Sequence, residues 1–124
     1  EKIDLGRAAL LIARLDNEEL DIDFYRAEIQ RLARLAAERF PKNAKPADKI
    51  VALNKFLFTE RGFHGSHTEY YAKSNSYLNE VIDDREGLPI TLSVLYIEIA
   101  RELKLTVVGV PLPGRLGPAP VSED

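Results

Sequence analysis

Cysteine is absent from this chain of 124 residues. Its absence excludes disulfides and thiolate metal sites, and it fits a reducing, cytoplasmic compartment. An excess of either charge is missing too. The chain carries 17 Lys and Arg against 20 Asp and Glu, a net charge of −3 at neutral pH. That balance gives no electrostatic footing for nucleic acid or an anionic membrane. The longest near-apolar run, Leu88 to Ile97, is interrupted by Pro89 and Thr91 and is far too short to span a bilayer. No leader peptide is visible, because charged residues begin at Glu1 and Lys2. The first residue is not methionine, so the natural start is expected elsewhere. No cofactor is expected from this composition.

The chain does have enough apolar residues to fold. Hydrophobic residues make up 45% of it, and a chain of this length buries roughly two thirds of its unfolded surface as one domain. Asp4 is placed to cap a helix over Leu5–Leu15, whose apolar face comprises Leu5, Ala8, Ala9, Ile12 and Leu15, widened by Leu10 and Leu11. A second helix is predicted over Ile22–Arg39, after Asp21 and before Pro41, with Ile22, Tyr25, Ile29, Leu32, Ala33 and Ala36 on one stripe. A third runs over Ala47–Glu60 behind Pro46, with Gly62 as a left-handed stop. Gly62 to Asn75 reads as the longest irregular stretch. A fourth helix is expected over Tyr77–Arg85, ending at Gly87. A fifth, Pro89–Leu103, reads as apolar on every side, so Val94, Leu95, Ile97 and Leu103 are expected to be wholly buried. Thr106–Val110 reads as one buried strand. Gly114, Gly117, Pro118 and Pro120 make residues 114–124 a flexible tail to a domain of residues 1–113.

These elements predict an α+β fold, mainly α, with five helices around a central buried helix and one short strand. Its most specific blocks are Gly62-Phe63-His64-Gly65, the Tyr70-Tyr71 pair, NSYLNEV at Asn75–Val81, GLPITLS at Gly87–Ser93, and the turn ending at Gly114. Together they resemble a transglutaminase-like domain of the SirB family, within the papain-like transglutaminase superfamily. The resemblance implies a nucleophilic cysteine at the start of the central helix and a histidine on a following strand. Pro89 stands at the first position and Arg115 at the second. The chain departs from the family after Gly114, and is expected to be an incomplete core.

Thiol acyl transfer needs a thiolate, an activating base and a group that orients the base. The resemblance therefore implies an enzyme fold without the enzyme's chemistry: a non-catalytic interaction or regulatory module, binding a protein partner or a second copy of itself. The alternative is a cryptic hydrolase or acyltransferase that uses Thr91 or Ser93, or a metal bound in the loop. His64, His67 and Glu69 have ligand-type side chains, with Asp83 or Asp84 nearby, but two loop histidines are more often solvated than ligating. Asp83 and Asp84 point about 100° apart on a helix and do not face one another. Arg26, Arg31, Arg34 and Arg39 are interspersed with Glu28 and Glu38, which argues against a phosphate site on that helix. Tyr70, Tyr71, Asn75, Ser76, Tyr77 and Asn79 remain. They either brace the long loop through hydrogen bonds or line a peptide groove, since tyrosine offers area and a polar tip at small entropic cost.

Overall fold

The computed structural model describes residues 4–65 and 77–105. Five α-helices form where the sequence supplies starts and stops. Helix α1, Leu5–Asp16, is capped by Asp4, whose Oδ1 accepts from the Arg7 amide at 2.8 Å. Helix α2, Ile22–Ala37, is capped by Asp21, which accepts from the Phe24 amide at 3.0 Å. Each such cap contributes about 1 kcal/mol. Helix α3, Pro46–Asn54, begins at a proline whose fixed φ suits a first turn, and the Asp48 carboxylate accepts from the Lys45 amide at 3.3 Å. It runs directly into a π-helical turn, Lys55–Glu60. The wider register lets Phe56 and Leu57 both enter the core, with Phe58 packed beside them. Gly62 follows with φ 78°, the left-handed stop its position called for.

Helix α4, Leu78–Asp84, ends differently from expectation. Arg85, not Gly87, takes the left-handed conformation, with φ 62°. Gly87 is needed for another reason: a Cβ there would lie 2.4 Å from a methyl of Val81. Two short strands pair in parallel, β1 (His64–Gly65) with β2 (Glu86–Gly87), in the register His64 to Glu86 and Gly65 to Gly87. Helix α5, Pro89–Glu102, follows β2 at once. The expected strand over Thr106–Val110 and the tail from Gly114 lie outside the described residues. The molecule is mainly helical, an α+β arrangement in which α5 packs against α1, α2, α4 and both strands.

Burial follows the sequence closely in α2, where Ile22, Ile29, Leu32, Ala33 and Ala36 are all inside. It departs from the sequence in α1. The inner residues are Gly6, Leu10 and Ala13, while Leu5, Leu11 and Ile12 are exposed and Leu15 is 84% exposed. The inner stripe is small because α5 comes very close. Any Cβ on Gly6 would sit 3.0 Å from the Glu98 side chain. The larger apolar residues are thereby turned outward. Helix α5 also differs from an all-round buried rod. Leu92, Leu95, Tyr96, Ile99 and Ala100 are buried, whereas Val94, Ile97 and Leu103 are half-buried and Ile90 is 71% exposed. A polar residue, Glu98, lies on its inner side.

Leu95→Ala is therefore expected to cost about 2–5 kcal/mol, through lost transfer energy and the cavity left behind. Leu15→Ala, at an exposed position, should change stability by no more than about 0.5 kcal/mol. Urea denaturation of both variants checks the pair. Similar losses in the two would mean that α1 buries its large face after all.

Candidate functional site

The sequence directs attention to the start of α5 and to the block before α4. Leu88 occupies the N-cap of α5 in an extended conformation, as a residue before proline must, and makes no side-chain cap hydrogen bond. Pro89 is the first helical residue. Thr91 is buried and Ser93 half-buried in the opening turns. His64 lies on β1, beside β2. Its Nδ1 is 2.8 Å from the Gly62 carbonyl oxygen, and its Nε2 is 3.2 Å from the Glu86 carboxylate. Both ring nitrogens thus face acceptors, and its backbone amide donates to the Arg85 carbonyl at 2.9 Å. The ring is tied to the β1–β2 join.

The tyrosine and asparagine block is described only in part. Tyr77 is the N-cap of α4 and packs half-buried against the core. Asn79 is 5% exposed, and its Oδ1 has no hydrogen-bond partner among the described residues. Tyr70, Tyr71, Asn75 and Ser76 lie outside the described residues, as do His67 and Glu69. Among the described residues no group of three or more His, Asp or Glu side chains is placed to hold a metal ion. Asp83 has a role the sequence did not suggest. It accepts a 2.7 Å hydrogen bond from the Tyr25 hydroxyl. Burial first, and then this carboxylate, push the Tyr25 phenol up to about 12, which keeps it a donor at neutral pH.

A polar cluster at the start of α1 was also missed. Asp4, Gly6, Arg26, Gln30, Glu98 and Arg101 line a cavity of about 190 Å³. Glu98 accepts from the Gly6 amide and, at 3.1 Å, from Arg101 Nη1, while Arg26 pairs with Asp4 at 3.0 Å. Desolvation raises the Glu98 carboxyl above its ordinary value; Arg101 opposes the rise and the Asp4 charge adds to it. The available sequence signal was an acid three residues before an arginine in an otherwise apolar helix.

Residues 23–117 match the Transglutaminase-like superfamily. The chain belongs to that superfamily. It is 39% identical over 114 residues to a "UPF0162 protein" of Xylella fastidiosa (strain Temecula1 / ATCC 700964), covering 92% of this chain and 41% of that protein. It is 34% identical over 91 residues to a "UPF0162 protein" of Pasteurella multocida (strain Pm70), covering 73% and 34% respectively. Over 63 residues it is 41% identical to F-box only protein 21 of Homo sapiens, covering 51% of this chain and 9% of that one. The chain spans less than half the length of each of these relatives. No solved structure matches it. Among the described residues no helix is long and apolar enough to cross a membrane.

The Glu98 cluster carries a pH prediction. A carboxyl whose folded pKa is raised adds stability that is full below its unfolded value, near 4.5, and is lost as pH rises through the folded value. Glu98→Gln keeps an acceptor for the Gly6 amide but does not titrate. The stability of the natural chain relative to Glu98→Gln should therefore fall as pH rises from acid to neutral. Denaturation of both proteins at matched pH measures the difference. A difference that stays flat, or grows with pH, contradicts the raised value.

Proposed function

We propose that this chain is a non-catalytic, transglutaminase-like interaction module. The observation that carries the reading is the first turn of α5. A helix N-terminus stabilises a thiolate and so favours a cysteine nucleophile. Here that turn begins with Pro89, whose ring has no ionisable or nucleophilic atom. His64 supports the same reading, since both of its ring nitrogens face acceptors within the fold. The GF-x-G, NSYLNEV and GLPITLS blocks favour the SirB type within the superfamily, and the cysteine-free composition suits a cytoplasmic setting.

The partner in this proposal is a protein surface. Leu11, Ile12 and Leu15 leave a contiguous apolar face on α1 and, with Arg14, line a shallow depression of about 300 Å³. Exposed apolar faces of this kind are typical of interaction sites. The likeness to 9% of F-box only protein 21 suits a module carried within longer chains. The rival reading is hydrolysis or acyl transfer by a hydroxyl, and Ser93 is its best nucleophile because Thr91 is buried.

Glutamine-amide and ester substrates separate the two readings. The natural chain should release product no faster than buffer, and Pro89→Cys should form no thioester detectable by intact-mass spectrometry. Turnover above buffer that disappears in Ser93→Ala would establish the hydrolase instead.

A further inference from the structure

Three arginines far apart in sequence meet in one cleft. Arg31 of α2, Arg61 at the end of the π-helical turn and Arg85 at the end of α4 line a cavity of about 150 Å³, walled on its apolar side by Leu32, Phe63 and Ile82. Glu28 and Asp83 also line it, and both keep their negative charge. Glu28 pairs with Arg31 at 3.1 Å, and Asp83 accepts from the Tyr25 hydroxyl. Counted as formal charges, the three guanidinium groups exceed the two carboxylates by one.

Arg61 and Arg85 are held in unusual ways. The Arg61 guanidinium lies over the buried Phe56 ring, 5.7 Å from its centroid. Its Nε is buried and has no hydrogen-bond acceptor among the described residues, a costly state for a donor on a cation. Arg85 holds a left-handed backbone, φ 62°, which a side chain with a Cβ disfavours. Glycine would take that conformation freely, and Asn43 and Lys104 share it elsewhere in the chain. Its Nη1 donates to the Arg61 carbonyl at 3.1 Å. One unusual residue thereby fixes the position of the other.

We propose that this cleft binds a single phosphate group, free or as a small ester. Planar guanidinium forks pair with phosphate oxygens two at a time. Three arginines arriving from three separate elements suit a tetrahedral group, whereas a planar carboxylate is satisfied by one fork. The cleft is about half the lower bound of a typical drug-sized pocket, roughly 300 Å³, so one phosphate fits and a nucleotide does not. The acidic residues along α2 argued against such a site when that helix was read alone. Arg61 and Arg85 come from elsewhere in the fold and reverse the balance.

The test is a titration of the chain with inorganic phosphate, followed by NMR of the arginine Nε–H signals at a constant ionic strength of roughly 0.15 M. Saturable shifts at Arg61 and Arg85 are expected. Arg61→Gln should weaken binding about tenfold, the scale of one charge-assisted hydrogen bond. Arg85→Gly keeps the left-handed turn and should weaken it similarly, while Arg14→Gln on α1 should not. Circular dichroism confirms that each variant is folded. Phosphoserine binding at least as tightly as inorganic phosphate assigns an ester; phosphate alone assigns the free anion. Shifts that do not saturate, that acetate reproduces equally, or that survive in both folded cleft variants overturn the proposal.

Discussion

A carboxylate on the inner side of a central helix must be satisfied, and much of this fold follows from how Glu98 is. Its side chain is largely buried between α5 and the start of α1. The free amide of Gly6, in the first turn of α1, supplies one donor, and Arg101 another. Amides at a helix N-terminus have no partners within their own helix and carry the positive end of its dipole. Glu98 and the start of α1 therefore meet each other's needs. The contact holds the two helices close, so that a Cβ at residue 6 would lie 3.0 Å from the Glu98 side chain and require it to shift. It also fixes the rotation of α1. With Gly6 inward, Leu10 and Ala13 follow inward one and two turns later, and Leu11, Ile12 and Leu15 have nowhere to go but out. The exposed apolar face of α1 is thus a consequence of a buried charge on another helix.

A second join, at residues 85–89, holds α4, the strand pair and α5 in a fixed order. Arg85 reverses the chain, Gly87 lets β2 lie against Val81, and Pro89 starts the next helix. The His64 amide and imidazole attach β1 to this same join. Tyr96 closes the core nearby in sequence. It donates a 2.6 Å hydrogen bond to Asn54 Oδ1 and stacks on Phe58, and its burial raises the phenol's pKa.

Helix positions were legible in the sequence because caps and prolines act locally. Asp4, Asp21, Pro46 and Pro89 each mark a start through a contact within one turn. The buried stripe of α2 was legible for a related reason: its apolar residues share one face and polar residues fill the other. Helix α1 was not, because it has apolar residues on both faces, and a contact from α5 decides between them. The contact at Gly6 sets the rotation, and Leu10 and Ala13 lie on the same face as Gly6 while Leu11, Ile12 and Leu15 do not. The stop of α4 was misread because glycine is the usual left-handed residue, whereas here an arginine takes that conformation and the glycine serves a close packing contact. Pro89 as a helix start was readable from sequence; the arginine cleft was not. Its members share no element and no periodicity, and only tertiary packing brings them together.

The short segment from Arg85 to Pro89 also shows where local stability and local strain are placed. Proline at a first helical turn costs nothing in the folded state and restricts the unfolded chain, a gain of about 0.4–1 kcal/mol where the geometry fits. The site where the superfamily resemblance implies a nucleophile is therefore locally relaxed. Four residues earlier the opposite holds. A left-handed arginine costs roughly 1 kcal/mol or more, and its side chain donates to the backbone of a second arginine whose own Nε lacks an acceptor among the described residues. Strain persists where the surrounding structure over-determines it, and functional sites are where it collects. In this chain that strain sits at Arg85, four residues before the relaxed start of α5.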